Sequence, residues 1–282
     1  MKRTAIAFAV LGMCVWATGQ DKPATQSAAA GQTAAAPQGK RMPAAKTQPE
    51  FDAYKAALPL ADAAAAEKAA DDFATKFPDS ELRVVLYKAA MQKYQIANNA
   101  DKMEEMAQKA LTLDADDPEA LVGLAQVLSE RTHDTDLDRD QKLAEAKKDA
   151  ERALVTVDTD IPTAGYPPEK VDEFKRYLRS EAYAVLGTLA SNAKDWPNAE
   201  TNLHKSIDAF PEQVDSVAVL RLAVALDMQN KVPDALKYAN QAVDLTKDHP
   251  DSPAGKAARA EQDRLTKLNS GTAPGQSAPQ KK

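Results

Sequence analysis

Residues 180–211, SEAYAVLGTLASNAKDWPNAETNLHKSIDAFP, read as one complete helix-turn-helix unit, and that reading decides the fold. Two apolar-periodic segments, 181–192 and 197–210, flank the polar turn 193–196. In the first, Tyr183, Leu186, Gly187 and Ala190 share one helix face. In the second, Ala199, Leu203, Ile207 and Phe210 recur every three or four residues. Pro197 stands in the first helical turn, where its missing N–H costs nothing, and Pro211 ends the helix. Gly187 and Ala199 are small enough to let the two backbones approach, with Tyr183, Leu186 and Leu203 expected to fill the space around them.

Outward from this unit the same pattern recurs. Downstream, residues 216–245 give a second pair through Val219, Leu222, Leu226, Ala235, Ala239 and Ala242, and Pro233 and Ala235 repeat the Pro197 and Ala199 arrangement. Upstream, Tyr87 and Tyr94 take the large slots of a first helix, and Met103, Ala107 and Ala110 line its partner. Leu121, Leu124, Ala125 and Leu128 oppose Ala146, Ala150 and Ala153 in the next pair. Ala66, Ala70 and Phe73 belong to a degenerate first pair, and 251–268 is a charged helix suited to cap the array. The equivalent second-helix slots, residues 73, 110, 153, 206 and 242, are separated by 37, 43, 53 and 36 residues. Insertions at 131–141 and 158–169 absorb the excess, since lengthening a surface loop costs little.

These residues resemble the tetratricopeptide repeat, W-x2-L-G-x2-Y, then A-x3-F, then P, over roughly 34 residues. Tyr183 stands for the Trp, Ala190 for the Tyr and Leu203 for the Phe. The resemblance covers about residues 47–247 and implies an all-α, right-handed superhelical array of antiparallel helix pairs, about five of them plus a C-terminal capping helix. It also implies a concave groove, lined by the first helices, that binds a protein or peptide. Carried over by position, the groove residues are Lys88, Gln92 and Gln95, then Glu119, Val122 and Gln126, then Glu181, Ala184 and Thr188, and finally Val217, Leu220 and Val224. Chaperone-binding members use a basic, Asn-containing clamp; here Lys88 is joined by Gln92 and acidic Glu119, a departure from that mode. Service in envelope assembly or secretion is a further implication of the resemblance.

Composition agrees with an all-α chain: 44% of the 282 residues are hydrophobic but only 5% aromatic, with Ala abundant. Lys2 and Arg3 precede a mostly apolar run over 4–16, and Ala17, Thr18 and Gly19 suit a peptidase, so 1–19 is expected to be a secretory signal peptide. Lipid processing at Cys14 and an uncleaved anchor are the alternatives; Met13, Val15 and Trp16 fit the lipid route poorly. Residues 20–49, rich in Ala, Gln, Thr and Pro, are expected to be a disordered tether spanning about 30 Å. The repeat domain is assigned to 50–268 and a disordered tail to 269–282. The expected location is periplasmic or extracellular. Cys14 is the only cysteine, so cleavage after Gly19 leaves no thiol, and removing Lys2 and Arg3 shifts the formal charge from -6 to -8. An acidic chain is a poor match for nucleic-acid phosphates and an easier one for a basic protein.

One local pattern suggests a metal. Asp134, Asp136, Asp138, Asp140 and Glu145 stand at the first, third, fifth, seventh and twelfth places of an EF-hand loop, whose oxygens converge on Ca²⁺. Arg139 occupies the position that needs Gly, and the competing reading is that Asp138 and Asp140 cap the following helix. A calcium-regulated module is thus the alternative to a peptide-binding scaffold. No other cofactor is expected. His133, His204 and His249 are scattered, and no nucleophile elbow, P-loop or dinucleotide fingerprint occurs. No catalytic residue is assigned and the chain is not expected to be an enzyme, the insertion at 158–166 being the one place left for a hidden site.

Overall fold

A computed structural model describes residues 40–270, and all regular structure among them is helical. The first pair joins α1 (Gln48–Ala57) to α2 (Ala63–Lys76), and the second α3 (Leu82–Ile96) to α4 (Ala100–Leu113). The third joins α5 (Pro118–Arg131) to α6 (Arg139–Thr156), and the fourth α7 (Pro168–Asn192) to α8 (Trp196–Ala209). A 3-10 turn (Pro211–Gln213) leads to the fifth pair, α9 (Ser216–Asp227) and α10 (Val232–Leu245), and α11 (Pro253–Asn269) closes the array. Each second helix packs on the first helix of the next pair, and successive first helices also touch. The described residues therefore form an α-solenoid of five helix pairs and a capping helix.

Local chemistry starts and stops these helices. Asp62 accepts from Ala65 N–H at 2.8 Å, Asp117 from Ala120 N–H at 3.0 Å, and Ser252 from Gly255 N–H at 3.1 Å, each supplying a partner to an otherwise orphaned donor. Asn98, Lys194 and Asn230 sit in the left-handed region, with φ of 56°, 59° and 60°. Each is followed by a residue whose N–H reaches back across the turn: Asn99 to Tyr94, Asp195 to Ala190 and Lys231 to Leu226, at 2.9, 2.9 and 3.0 Å. The same left-handed stop thus folds the second, fourth and fifth pairs. In the third pair, residues 132–138 replace it.

Packing rests on small residues in the second helices. Ala70, Ala107, Ala110, Ala146, Ala150, Ala199, Ala235, Ala239 and Ala242 are fully buried. A Cβ at Gly187 would lie 2.6 Å from Leu203 Cγ and 3.3 Å from its backbone nitrogen, so glycine there permits the α7–α8 approach. Leu203 fills the contact from within, but Tyr183 and Leu186 do not flank it as expected. Tyr183 is half-exposed, with Lys205 Nζ 5.3 Å over its ring, and Leu186 packs toward the α1–α6 core; Ala182 and Val185 are the buried residues of that turn.

Residues 40–47 depart from the expected tether. They form an extended strap, and helix starts at Gln48 rather than after Pro49. Lys40 N–H donates to Thr159 O at 3.1 Å, and its ammonium pairs with Asp114 and, at 3.5 Å, with Asp160. Arg41 meets Glu81 at 2.5 Å and Lys46 Nζ donates to Asp79 O at 2.7 Å. One short segment thereby touches the turns between the first and second, second and third, and third and fourth pairs. At the other end α11 includes Asn269, and Ser270 N–H still bonds Thr266 O at 3.0 Å, so order outlasts the expected boundary. The expected signal peptide, Cys14, the rest of the tether and positions 271–282 lie outside the described residues.

Candidate binding cleft

Helices α3, α5, α7 and α9 stand side by side, and the twelve groove positions fall on them. Six are spent tying one helix to the next. Lys88 Nζ lies 2.8 Å from Asp117 and 3.1 Å from Glu119, and Gln92 donates to Glu119, joining α3 to α5. Gln126 donates to Glu181, joining α5 to α7, and Arg221 donates to Thr188 Oγ1 at 2.9 Å, joining α7 to α9. Burial acts to lower the Lys88 pKa, but Asp117 and Glu119 outweigh it and hold the ammonium above the ordinary lysine range. Lys88 is thus a helix tie rather than an anion clamp.

The insertion after α6 closes one half of this face. Ile161 is buried, and Tyr166 packs on the cluster containing Leu121 and Val122. Val122, expected in the groove, is accordingly a core residue. Burial raises the Tyr166 pKa, with Lys88 and Glu119 close enough to act on it, so the insertion reaches the Lys88 site. Leu220 packs toward Val219, Ala242 and Ala258, while Val224 is exposed on α9. Ala184, half-buried, accepts the Thr188 hydroxyl through its carbonyl at 2.8 Å.

The other half stays open as a cleft of about 660 Å³, lined among others by Gln95, Gln126, Thr188 and Val217. Other parts of its wall were not among the expected groove positions: Asn98 from the α3–α4 turn, His133 from the 132–138 insertion, Arg139 from the start of α6, and Asn192 and Arg221 from α7 and α9. Arg221 lies one turn after Val217 and was legible as its neighbour. The insertion's role as a wall required knowing which way it folds.

The five acids of the suspected calcium loop do not converge. Helix α6 begins at Arg139, which draws Asp140 and Glu145 onto a regular helix instead of a closing loop. Arg139 lies 3.1 Å from Asp134 and 2.9 Å from Asp140, Lys142 takes Asp138 at 3.1 Å, and Asp136 accepts His133 N–H at 3.0 Å. Among the described residues no group of three or more acidic, His or Cys side chains is placed to hold a metal ion. Asp138 is the residue at the N-cap, but its carboxylate bonds no backbone N–H there. His204 is half-buried and meets Tyr238 edge-on at 5.3 Å.

No protein-family model matches the chain, and no curated protein matches it in sequence. Solved structures similar to it include YrrB, described as a TPR protein with an unusual peptide-binding site, at 16% identity and a TM-score of 0.45, covering 73% of this chain and 87% of that one. They also include Acl4, the assembly chaperone of RpL4 (residues 1–338), at 14% identity and a TM-score of 0.40, covering 79% and 97%. The assignment of this chain as a solenoid rests on its own helix pairs and not on either likeness.

Proposed function

We propose that this solenoid is an exported, non-catalytic adaptor that takes a segment of a partner protein or peptide into the cleft between α3, α5, α7 and α9. One observation carries the reading: Gln95, Asn98 and Asn192 bring side-chain amides to the cleft, and none of these three amide groups is hydrogen-bonded to another described residue. Each carboxamide offers a donor and an acceptor, the complement of a peptide backbone. The charged groups there are already matched, Arg139 with Asp134 and Asp140, and Arg131 with Asp101 at 3.6 Å, which suits a binding surface better than proton-transfer chemistry. Export rests on the leader-like residues 1–19, and envelope assembly or secretion is the corresponding setting.

Panning a displayed peptide library against the purified chain tests the cleft. Enriched peptides should bind at least tenfold more weakly to Val217→Glu, on the order of one lost contact or one unmatched charge. Equal binding to both forms places the site elsewhere. Sequencing the N-terminus of the chain recovered from its native cells tests export: a start at Gln20 supports it, a lipid-modified Cys14 replaces the peptidase route, and an intact Met1 in the cytosol refutes it.

A further inference from the structure

The insertion that covers half of the groove has firm ends and a loosely held middle. At its start Arg179 holds the Asp158 carboxylate at 2.5 Å and Lys175 Nζ donates to Asp158 O at 3.4 Å; at its end Val171 N–H donates to Pro167 O at 3.2 Å as α7 begins. Across 161–165 the one backbone hydrogen bond among the described residues is Tyr166 N–H to Thr163 O, at 3.4 Å. Gly165 turns with φ of 84°, and a Cβ there would meet nothing within 4 Å. What keeps the middle down is apolar: Ile161 is 5% exposed, and Tyr166 packs on the same cluster as Leu121 and Val122. Fixed flanks around a span with few backbone bonds are the build of a lid.

One of the two anchors is also fastened from outside. Lys40 N–H donates to Thr159 O at 3.1 Å, and its ammonium reaches Asp160, the neighbour of Ile161, at 3.5 Å while pairing with Asp114 in the α4–α5 turn. The strap thereby pins the insertion to the body of the array at the residue next to its buried aliphatic side chain. Beneath lie Lys88, Glu119 and Val122, groove positions of α3 and α5 that do not line the open cleft. Ile161 and Tyr166 therefore sit where a ligand of that half would place its own side chains.

We propose that residues 158–167 are a displaceable lid that fills the α3–α5 half of the groove as an internal ligand, latched by Lys40, and that its release opens this half to a partner segment bearing an aliphatic and an aromatic side chain at the spacing of Ile161 and Tyr166. This rests on the groove reading above and adds how the groove is regulated. Release exposes Leu121 and Val122, so an incoming segment must rebury them, which makes an apolar competitor the one that displaces the lid.

Two measurements on the purified full chain test it. Hydrogen exchange read by mass spectrometry should show the 159–166 amides exchanging about three- to tenfold faster in Lys40→Ala, the scale of one partly exposed ion-pair cluster, while α5 and α7 keep the parent's rates. Unchanged exchange removes the latch, and faster exchange throughout α6 and α7 makes Lys40 a tie between pairs; either result overturns the proposal. A fluorescein-labelled synthetic peptide, DTDIPTAGYPPE (158–169), is then titrated by anisotropy. It should bind about threefold more tightly to Lys40→Ala than to the parent, and at least about tenfold more tightly to the lid variant Ile161→Ser, Tyr166→Ser. The same peptide with Ser at the Ile and Tyr positions should bind none of the three. Equal binding to all three, or no gain in a lid variant whose circular dichroism matches the parent's, overturns the internal-ligand assignment; should the lid variant lose its helices, Lys40→Ala decides. Val217→Glu separates this from the open cleft: it should weaken the panned peptides and leave the insertion peptide's binding unchanged. Loss of the insertion peptide in Val217→Glu places it in the open cleft and overturns the lid site, while panned peptides that bind both forms equally defeat the cleft reading alone.

Discussion

Gly187→Ala and Gly123→Ala are the same substitution in neighbouring first helices, and the structure assigns them different costs. Each gains about 1 kcal/mol of helix propensity. At Gly187 the new methyl would meet Leu203 Cγ at 2.6 Å, Cδ2 at 2.8 Å and the backbone nitrogen at 3.3 Å, and Leu203 is fully buried with nowhere to turn. Overpacking of this kind costs roughly 1–3 kcal/mol, and contact with a branch carbon and backbone places it in the upper part of that range. The net expectation is a loss of about 1–2 kcal/mol, or a Tm lower by about 3–6 °C for a domain this size. At Gly123 the nearest atoms are Met91 Sδ at 2.8 Å and Cε at 3.2 Å, the far end of an adaptable side chain. Gly123→Ala should stay within about 0.5 kcal/mol of the parent. Urea denaturation followed by circular dichroism reads both, with the m-value checked because solenoids can lose cooperativity. In a Leu203→Ala background, Gly187→Ala should turn stabilising. A higher Tm for Gly187→Ala alone would refute the close-approach argument.

Lys194 holds a left-handed turn with φ of 59°, so Lys194→Gly should stabilise by about 0.5–1 kcal/mol and Lys194→Val should destabilise, both read by thermal melting. Tyr87 and Tyr94 are both pushed up to about 12, first by burial and then by hydrogen bonds to Asp71 and Glu67. Their protonated forms bind tighter in the folded chain, so their contribution is complete below pH 10 and is lost as pH rises toward 12; melting across that window should be steeper for the parent than for Tyr87→Phe, Tyr94→Phe. Burial, with Glu145 adding to it, raises Asp149 to about 6. That group favours folding below pH 4 and its contribution is lost as pH rises through 6, so Asp149→Asn should raise the Tm at pH 7.5 and change it little at pH 4.

The helix pairs were legible because their signals are local. Alanine and glycine at helical spacing, prolines in first turns and Asn98 at a stop all act within a few residues of themselves. The half-closed groove was not legible, since Ile161 and Tyr166 are single apolar residues in a loop and carry no period. The Gln126–Glu181 tie needs the register of two helices 55 residues apart. In the acidic insertion, spacing alone imitated a metal loop, whereas the first turn of α6 decided where Asp140 and Glu145 point. Residues 40–47 lack apolar periodicity and read as a tether, because what orders them are turns brought near only by stacking.

That strap also sets how a load enters the molecule. Lys40 is fastened at the edge formed by the turns between pairs, whereas the cleft is lined at the opposite edge by Asn98, His133 and Asn192. A pull on the chain ahead of Lys40 is therefore taken up beside the third and fourth pairs, midway along the array, and α1 is spared from peeling first. The strap is a handle set on the back of the solenoid, so a chain held by its N-terminal side turns the mouth of its cleft outward.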